Sequence, residues 1–344
     1  MAQETFYYDK EFVLESGKKL SQFHLHYTTY GKINADKSNV VWVFHALTAN
    51  SDPAEWWYGL VGAGKLITPE KYFIVCVNMP GSCYGSINPL DKDPFTGESF
   101  YHDFPLFTTR DMIRSYQLLK EHLNIRKIHM GIGGSMGGQQ LLEWAIEMPE
   151  AFQYIIPIAT NAKHSPWGVA FNTSQRWCIE NDITWNDKTP DAGLQGMKAA
   201  RSIALLSYRN YITYTGAQQG FSPDTEAAPV DQKVFRAETY QHYQGEKLAK
   251  RFNAFSYYFL SRAMDFHDVG RDRGKIEEAL QKIKAKTMVI GISSDLLFPP
   301  SEQHFIAANI KGAEIRIIES FYGHDGFLLE FEEIGKYISA FIGK

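Results

Sequence analysis

Six short runs of near-continuous apolar, β-favouring residues limit what this chain can fold into: residues 39–44, 72–77, 127–132, 154–158, 287–292 and 314–318. A strand that meets solvent on one face alternates apolar and polar side chains. One that is apolar throughout needs cover on both faces, as in a parallel sheet flanked by helices. Residues 20–30 alternate instead, with Phe23, Leu25 and Tyr27 in step, and read as an antiparallel edge strand. Helix-period stretches separate the runs. Residues 109–123 put Met112, Ile113, Tyr116, Leu119 and Leu123 on one face, and residues 137–148 do the same with Gln140, Leu141, Trp144 and Ala145 before Pro149. Repeated strand–helix–strand patterning predicts an α/β fold built on a mostly parallel, doubly wound sheet.

Between residues 163 and 286 the β-rich runs stop. Helix-like pieces at 170–181, 193–207, 234–243 and 246–264 are joined by Gly/Pro/Thr-rich turns such as 216–229. The expected organisation is a core in two pieces, 1–162 and 287–344, with a helical lid at 163–286. A chain of 344 residues, 44% hydrophobic and 22% charged, has the material for one large core of this kind. Its net charge of −4 gives no basic footprint for nucleic acid or an anionic membrane. Cys76, Cys83 and Cys178 are few, odd in number and without metal-ligand spacing, which argues against a disulfide framework and structural zinc. The N-terminus is polar and no apolar run reaches roughly 18 residues, so a cytoplasmic protein without a membrane span is expected.

Chemistry enters at Gly133-Gly134-Ser135-Met136-Gly137. This is a G-x-S-x-G pattern with an apolar run before it and an amphipathic helix after it, the setting of a nucleophile elbow. The sharp strand-to-helix turn needs small residues two before and two after the serine, and the helix N-terminus aims free N–H groups at the reacting centre. A phosphate cradle is a poorer reading, because no Lys-Ser/Thr follows the glycines. A dinucleotide fingerprint fails at Met136.

A serine nucleophile needs a histidine base and a carboxylate to orient it, in the chain order Ser, Asp/Glu, His. Asp295 follows the run 287–292, and His324 follows the run 314–318 within Gly323-His324-Asp325-Gly326. His45 and His304 are weaker base candidates by position. The negative charge that develops on a tetrahedral intermediate also needs N–H donors. Met136, directly after the nucleophile, offers one backbone donor, and Leu47, in the turn His45-Ala46-Leu47-Thr48 after an early strand, offers the other.

Taken together, His45-Ala46-Leu47-Thr48, the stretch 55–65, the stretch 72–86, the elbow with 138–145, the stretches 170–176 and 243–257, Ser294–Pro300 and Gly323–Leu328 resemble the homoserine O-acyltransferases, most often acetyltransferases, of the α/β-hydrolase fold. The resemblance runs nearly end to end. It implies Ser135, Asp295 and His324 as a catalytic triad and acyl-CoA as co-substrate, with no bound metal or redox cofactor. It implies Arg176 and Asp325 as contacts to the amino-acid substrate, Tyr208 and Arg209 as further pocket residues, and a homodimer formed through the lid. A guanidinium clamping the carboxylate of a zwitterion and an acid holding its ammonium make chemical sense.

The resulting expectation is ping-pong transfer of an acyl group, acetyl for preference, from acyl-CoA to the hydroxyl of L-homoserine in methionine biosynthesis. The same triad would also serve an esterase or thioesterase, or a transferase using succinyl-CoA or L-serine. An idle binding protein on this fold is disfavoured by the intact triad. Departures from the family pattern include Pro80, Gln139 and Trp177, of which Pro80 and Trp177 bear on donor and acceptor more than on the chemistry.

Overall fold

The computed structural model describes residues 1–343; Lys344, the last residue of the expected second core piece, lies outside them. Among the described residues ten strands form: β1 (Ala2–Tyr8), β2 (Phe12–Val13), β3 (Lys19–Leu20), β4 (Phe23–Tyr30), β5 (Val40–Phe44), β6 (Phe73–Val77), β7 (Ile128–Gly134), β8 (Phe152–Ile158), β9 (Lys286–Ile292) and β10 (Glu314–Ile318). Eight of them make one sheet in the order β1-β4-β6-β5-β7-β8-β9-β10, and β2 and β3 pair separately. From β6 to β10 every pairing is parallel.

Both faces of the parallel part are covered, as the apolar runs predict. Along β5, Val40, Trp42 and Phe44 enter one core layer, while Val41 and Val43 enter the other. The first layer holds an aromatic cluster in which Trp42 and Trp144 meet edge to face at 5.0 Å. The second packs Ile74, Ile132, Ile156 and Ile290 against Ile334, Ile338 and Phe341 of the C-terminal helix Phe331–Ile342.

One expectation is corrected. β4 is antiparallel but does not form the edge; β1 pairs outside it, from Ala2↔Thr29 to Tyr8↔Phe23. Only Phe6 of β1 is buried, so this strand carries no alternation for a sequence to reveal.

Between β8 and β9 the chain forms helices Pro166–Glu180, Leu194–Tyr208, Tyr211–Ala217, Arg236–Ala249, Ala254–Asp265 and Ile276–Leu280. The stretch expected as one helix over 246–264 is split. The helix ends at Ala249, and Asn253 caps the next by accepting from the Ser256 N–H at 2.8 Å. Among the described residues no helix is long and apolar enough to cross a membrane.

Strand order reverses at β5, which lies between β6 and β7. The crevice beyond the carboxyl ends of parallel strands at such a reversal is where open α/β sheets bind ligands. The loops after β5, β7, β9 and β10 all leave from carboxyl ends, and they carry Leu47, Ser135, Asp295 and His324 respectively.

Candidate active site

Ser135 sits at φ 56°, ψ −126°, a conformation that non-glycine residues avoid, between β7 and the helix Met136–Glu147. The backbone is held there from several directions. Ser135 N–H donates to Ile158 O at 3.0 Å, and its carbonyl accepts from Gly138 N, Gln139 N and the Thr160 hydroxyl. The flanking glycines are required by close approach. A Cβ on Gly137 would lie 2.2 Å from Phe44 O, and one on Gly133 would lie 2.6 Å from Gly137 O. The helix therefore packs directly against the end of β5, and the serine is raised into the crevice.

His324 Nε2 lies 2.9 Å from Ser135 Oγ, and His324 Nδ1 lies 2.7 Å from Asp295 Oδ2. The other oxygen of Asp295 accepts from the backbone N–H groups of Leu297 at 2.8 Å and Phe298 at 2.9 Å. With Nδ1–H pointing at the carboxylate, Nε2 is left to accept the serine proton. All three groups are buried, and the imidazole is ringed by Tyr208, Phe298 and Phe327. The three residues named from chain order thus form one hydrogen-bonded line.

The loop after β5 lies against the same helix, since Gln140 Nε2 reaches His45 O at 3.4 Å while also bonding Met136 O at 3.1 Å. Among the described residues the N–H groups of Leu47 and Met136 donate to no protein acceptor. His45 is not a second base. Its Nδ1 meets Ala46 O at 2.9 Å and its Nε2 accepts from Met79 N–H at 3.1 Å, while burial lowers its pKa to about 4. Carbonyl and N–H point opposite ways in a trans peptide. Anchoring Ala46 O through His45 therefore also fixes the direction of the Leu47 N–H. His304, the other weaker base candidate, is exposed on the helix Pro300–Asn309.

Asp325 lies beside His324 but is not brought together with Arg176. Its carboxylate pairs with Arg209, Nη1 to Oδ2 at 2.5 Å. Arg176 is tied into the packing of two helices instead: its guanidinium meets Asp265 Oδ2 at 2.6 Å and Ser261 Oγ at 3.1 Å, with the side chain 9% exposed. Tyr208-Arg209, which the resemblance implied only as further pocket residues, ends the helix Leu194–Tyr208 and supplies the arginine that Asp325 meets, the place expected for Arg176. That turn presses on Gly323, where a Cβ would stand 2.7 Å from Tyr208 O and 2.9 Å from the Arg209 carbonyl carbon, so the histidine loop needs glycine there. Trp177 is 64% exposed on the helix Pro166–Glu180, outside the crevice, whereas Pro80 and Gln139 are buried.

Comparison with known proteins places this geometry in a family. A family model described as the alpha/beta hydrolase fold matches residues 39–331. Homoserine O-acetyltransferase of Cyclobacterium marinum is 46% identical over 341 residues, covering 99% of this chain and 95% of its own. The crystal structure of homoserine O-acetyltransferase from Bacillus anthracis superposes with a TM-score of 0.91 at 24% identity, over 100% of this chain and 98% of that one. Esterase E22 shares the fold at a TM-score of 0.87 and 23% identity, with 99% of each chain covered. Near-full-length identity of this order to a curated acetyltransferase, on a matching fold, means that the chain belongs to the homoserine O-acetyltransferase family of the α/β-hydrolase fold.

Proposed function

We propose that this protein transfers the acetyl group of acetyl-CoA to the hydroxyl of L-homoserine, as a step of methionine biosynthesis, with Ser135 as nucleophile, His324 as base and Asp295 as the group that orients it. Ser135 Oγ attacks the thioester carbon as its proton passes to His324 Nε2. The tetrahedral oxygen takes hydrogen bonds from the N–H groups of Leu47 and Met136. Collapse expels CoA, protonated by His324, and leaves acetyl-Ser135. The homoserine hydroxyl then gives its proton to His324 and attacks the acyl carbon, releasing O-acetylhomoserine and free Ser135.

The observation that carries the choice of acceptor is the Arg209–Asp325 pair beside His324. An amino acid carries one carboxylate and one ammonium. Inserted between these side chains, it exchanges their single ion pair for two, with Arg209 on its carboxylate and Asp325 on its ammonium. A hydrolase of simple esters has no use for such a clamp. The helical segment 163–286 serves as the lid that excludes competing water, a role supported by the contact of Tyr208 and Arg209 with the histidine loop.

The lid also serves for assembly as a homodimer, since Ile183, Tyr211 and Val230 are exposed on it at 97%, 80% and 83%. Sedimentation of purified protein should give a dimer that Tyr211→Glu weakens; a monomer at micromolar concentration removes this part of the reading. For the activity, CoA release from acetyl-CoA is followed with and without L-homoserine. Release that depends on homoserine and yields O-acetylhomoserine is expected, and release indifferent to homoserine makes the protein a hydrolase.

A further inference from the structure

Beside Asp325 the surface opens into a cleft whose charge runs against that of the chain. Two adjoining cavities of about 280 and 470 Å³ share Arg201, Arg251 and Leu328 as walls. The smaller also borders Arg209, Lys247 and Asp325; the larger reaches Ala46 and Thr48, the neighbours of Leu47, and Glu55. Arg201, Arg209, Lys247 and Arg251 thus face two carboxylates, in a protein whose net charge is −4.

Arg209 is neutralised by Asp325, but among the described residues Arg201, Lys247 and Arg251 enter no ion pair. Neutral groups hold two of the three. Arg251 donates to the Tyr84 hydroxyl at 2.6 Å and to Thr48 O, and Arg201 lies over the Tyr208 ring at 5.4 Å. Lys247 projects from the helix Arg236–Ala249 into solvent. Charges held by neutral partners keep their full attraction for an anion, and a concave wall concentrates it. The carboxylate of homoserine is already matched by Arg209. The cations left over suit a ligand with several anionic groups.

We infer that this cleft binds the phosphate groups of the acyl carrier, with Arg201 and Lys247 as their principal contacts, while the thioester reaches Ser135 between the 45–48 loop and the histidine loop. This rests on the acyl-CoA reading above. The cleft touches the neighbours of Leu47 on one side and Asp325 on the other, so a donor anchored here lies between the two loops that flank the nucleophile.

The test compares two thioesters at saturating L-homoserine: acetyl-CoA, and S-acetylpantetheine, which has the same reacting group without the phosphates. The wild-type protein should favour acetyl-CoA in kcat/KM. Arg201→Gln should cut that preference roughly 5-fold, the upper range for a partly exposed ion pair. Lys247→Glu, at an exposed helix position where folding is not at stake, should cut it further by reversing a charge. Added salt should erode the wild-type preference more steeply than that of either variant. Variants that keep the wild-type ratio overturn the assignment of the cleft, as does a wild-type protein indifferent to the phosphates. If neither thioester donates an acyl group while a simple acetyl ester does, the acyl-CoA reading itself falls.

Discussion

Replacing Asp325 by Asn keeps the shape of the side chain and removes its charge, which isolates the proposed grip on the substrate ammonium. Asp325 and Arg209 lie 2.5 Å apart with side chains 18% and 28% exposed, so the pair is partly screened but not free in water. A hydrogen bond to a charged group in such a setting contributes about 1.5–3 kcal/mol. At about 1.4 kcal/mol per decade, its loss raises the KM for L-homoserine roughly 10- to 150-fold. Formation of acetyl-Ser135 from acetyl-CoA does not involve the ammonium, and the burst of CoA in the absence of homoserine should keep its rate. Stopped-flow thiol detection measures the burst, and steady-state kinetics with varied homoserine measures the KM. The reasoning is refuted if burst rate and homoserine kcat/KM fall by the same factor, because Asp325 would then be supporting His324 and not holding the substrate.

Other residues give separate tests. Arg176→Met breaks a largely buried ion pair with Asp265 and should cost about 3–5 kcal/mol in denaturant unfolding while leaving the homoserine KM in place; a KM rise with unchanged stability would return Arg176 to the substrate. Gly137→Ala puts a methyl group 2.2 Å from Phe44 O, where backbone cannot yield, and should destabilise by about 1–3 kcal/mol and slow acylation. Acid should weaken the fold early. Burial lowers the pKa of His45 and His164 to about 4 and of His267 to about 3, so between those values and the ordinary 6.5 the unfolded chain binds more protons than the folded one. Stability is therefore present above pH 6.5 and lost as pH falls, by about 2 kcal/mol at pH 5 for His45, and His164 and His267, which disfavour each other's charge, act in the same direction. A urea midpoint equal at pH 7.5 and pH 5 contradicts this.

The parallel strands were legible because burial on both faces makes them apolar over most of their length, with polar residues such as Gln153 and Lys286 near their amino ends, and β1 was not, because it buries Phe6 alone. Ser135, Asp295 and His324 could be named because each follows the carboxyl end of a strand and their chain order is set by the fold. The arginines could not be sorted that way. Arg176 and Arg209 both belong to the helical insertion, and what separates them is which carboxylate each faces: Asp265, 89 residues on, or Asp325, from the far end of the chain. Position after a strand makes His45 resemble a base, and only its two hydrogen bonds in the folded protein give it a different task. The basic cleft is likewise invisible in a net charge of −4, since its cations come from separate helices and a connecting turn.

The central claim is a covalent acetyl-Ser135 that homoserine discharges. Intact-mass analysis after rapid mixing with acetyl-CoA alone, followed by peptide mapping, should find one acetyl group per chain on Ser135, none on Ser135→Ala, and its disappearance on adding L-homoserine. Transfer at full rate by Ser135→Ala, or turnover with no acetyl group on Ser135 at any time, would contradict the account.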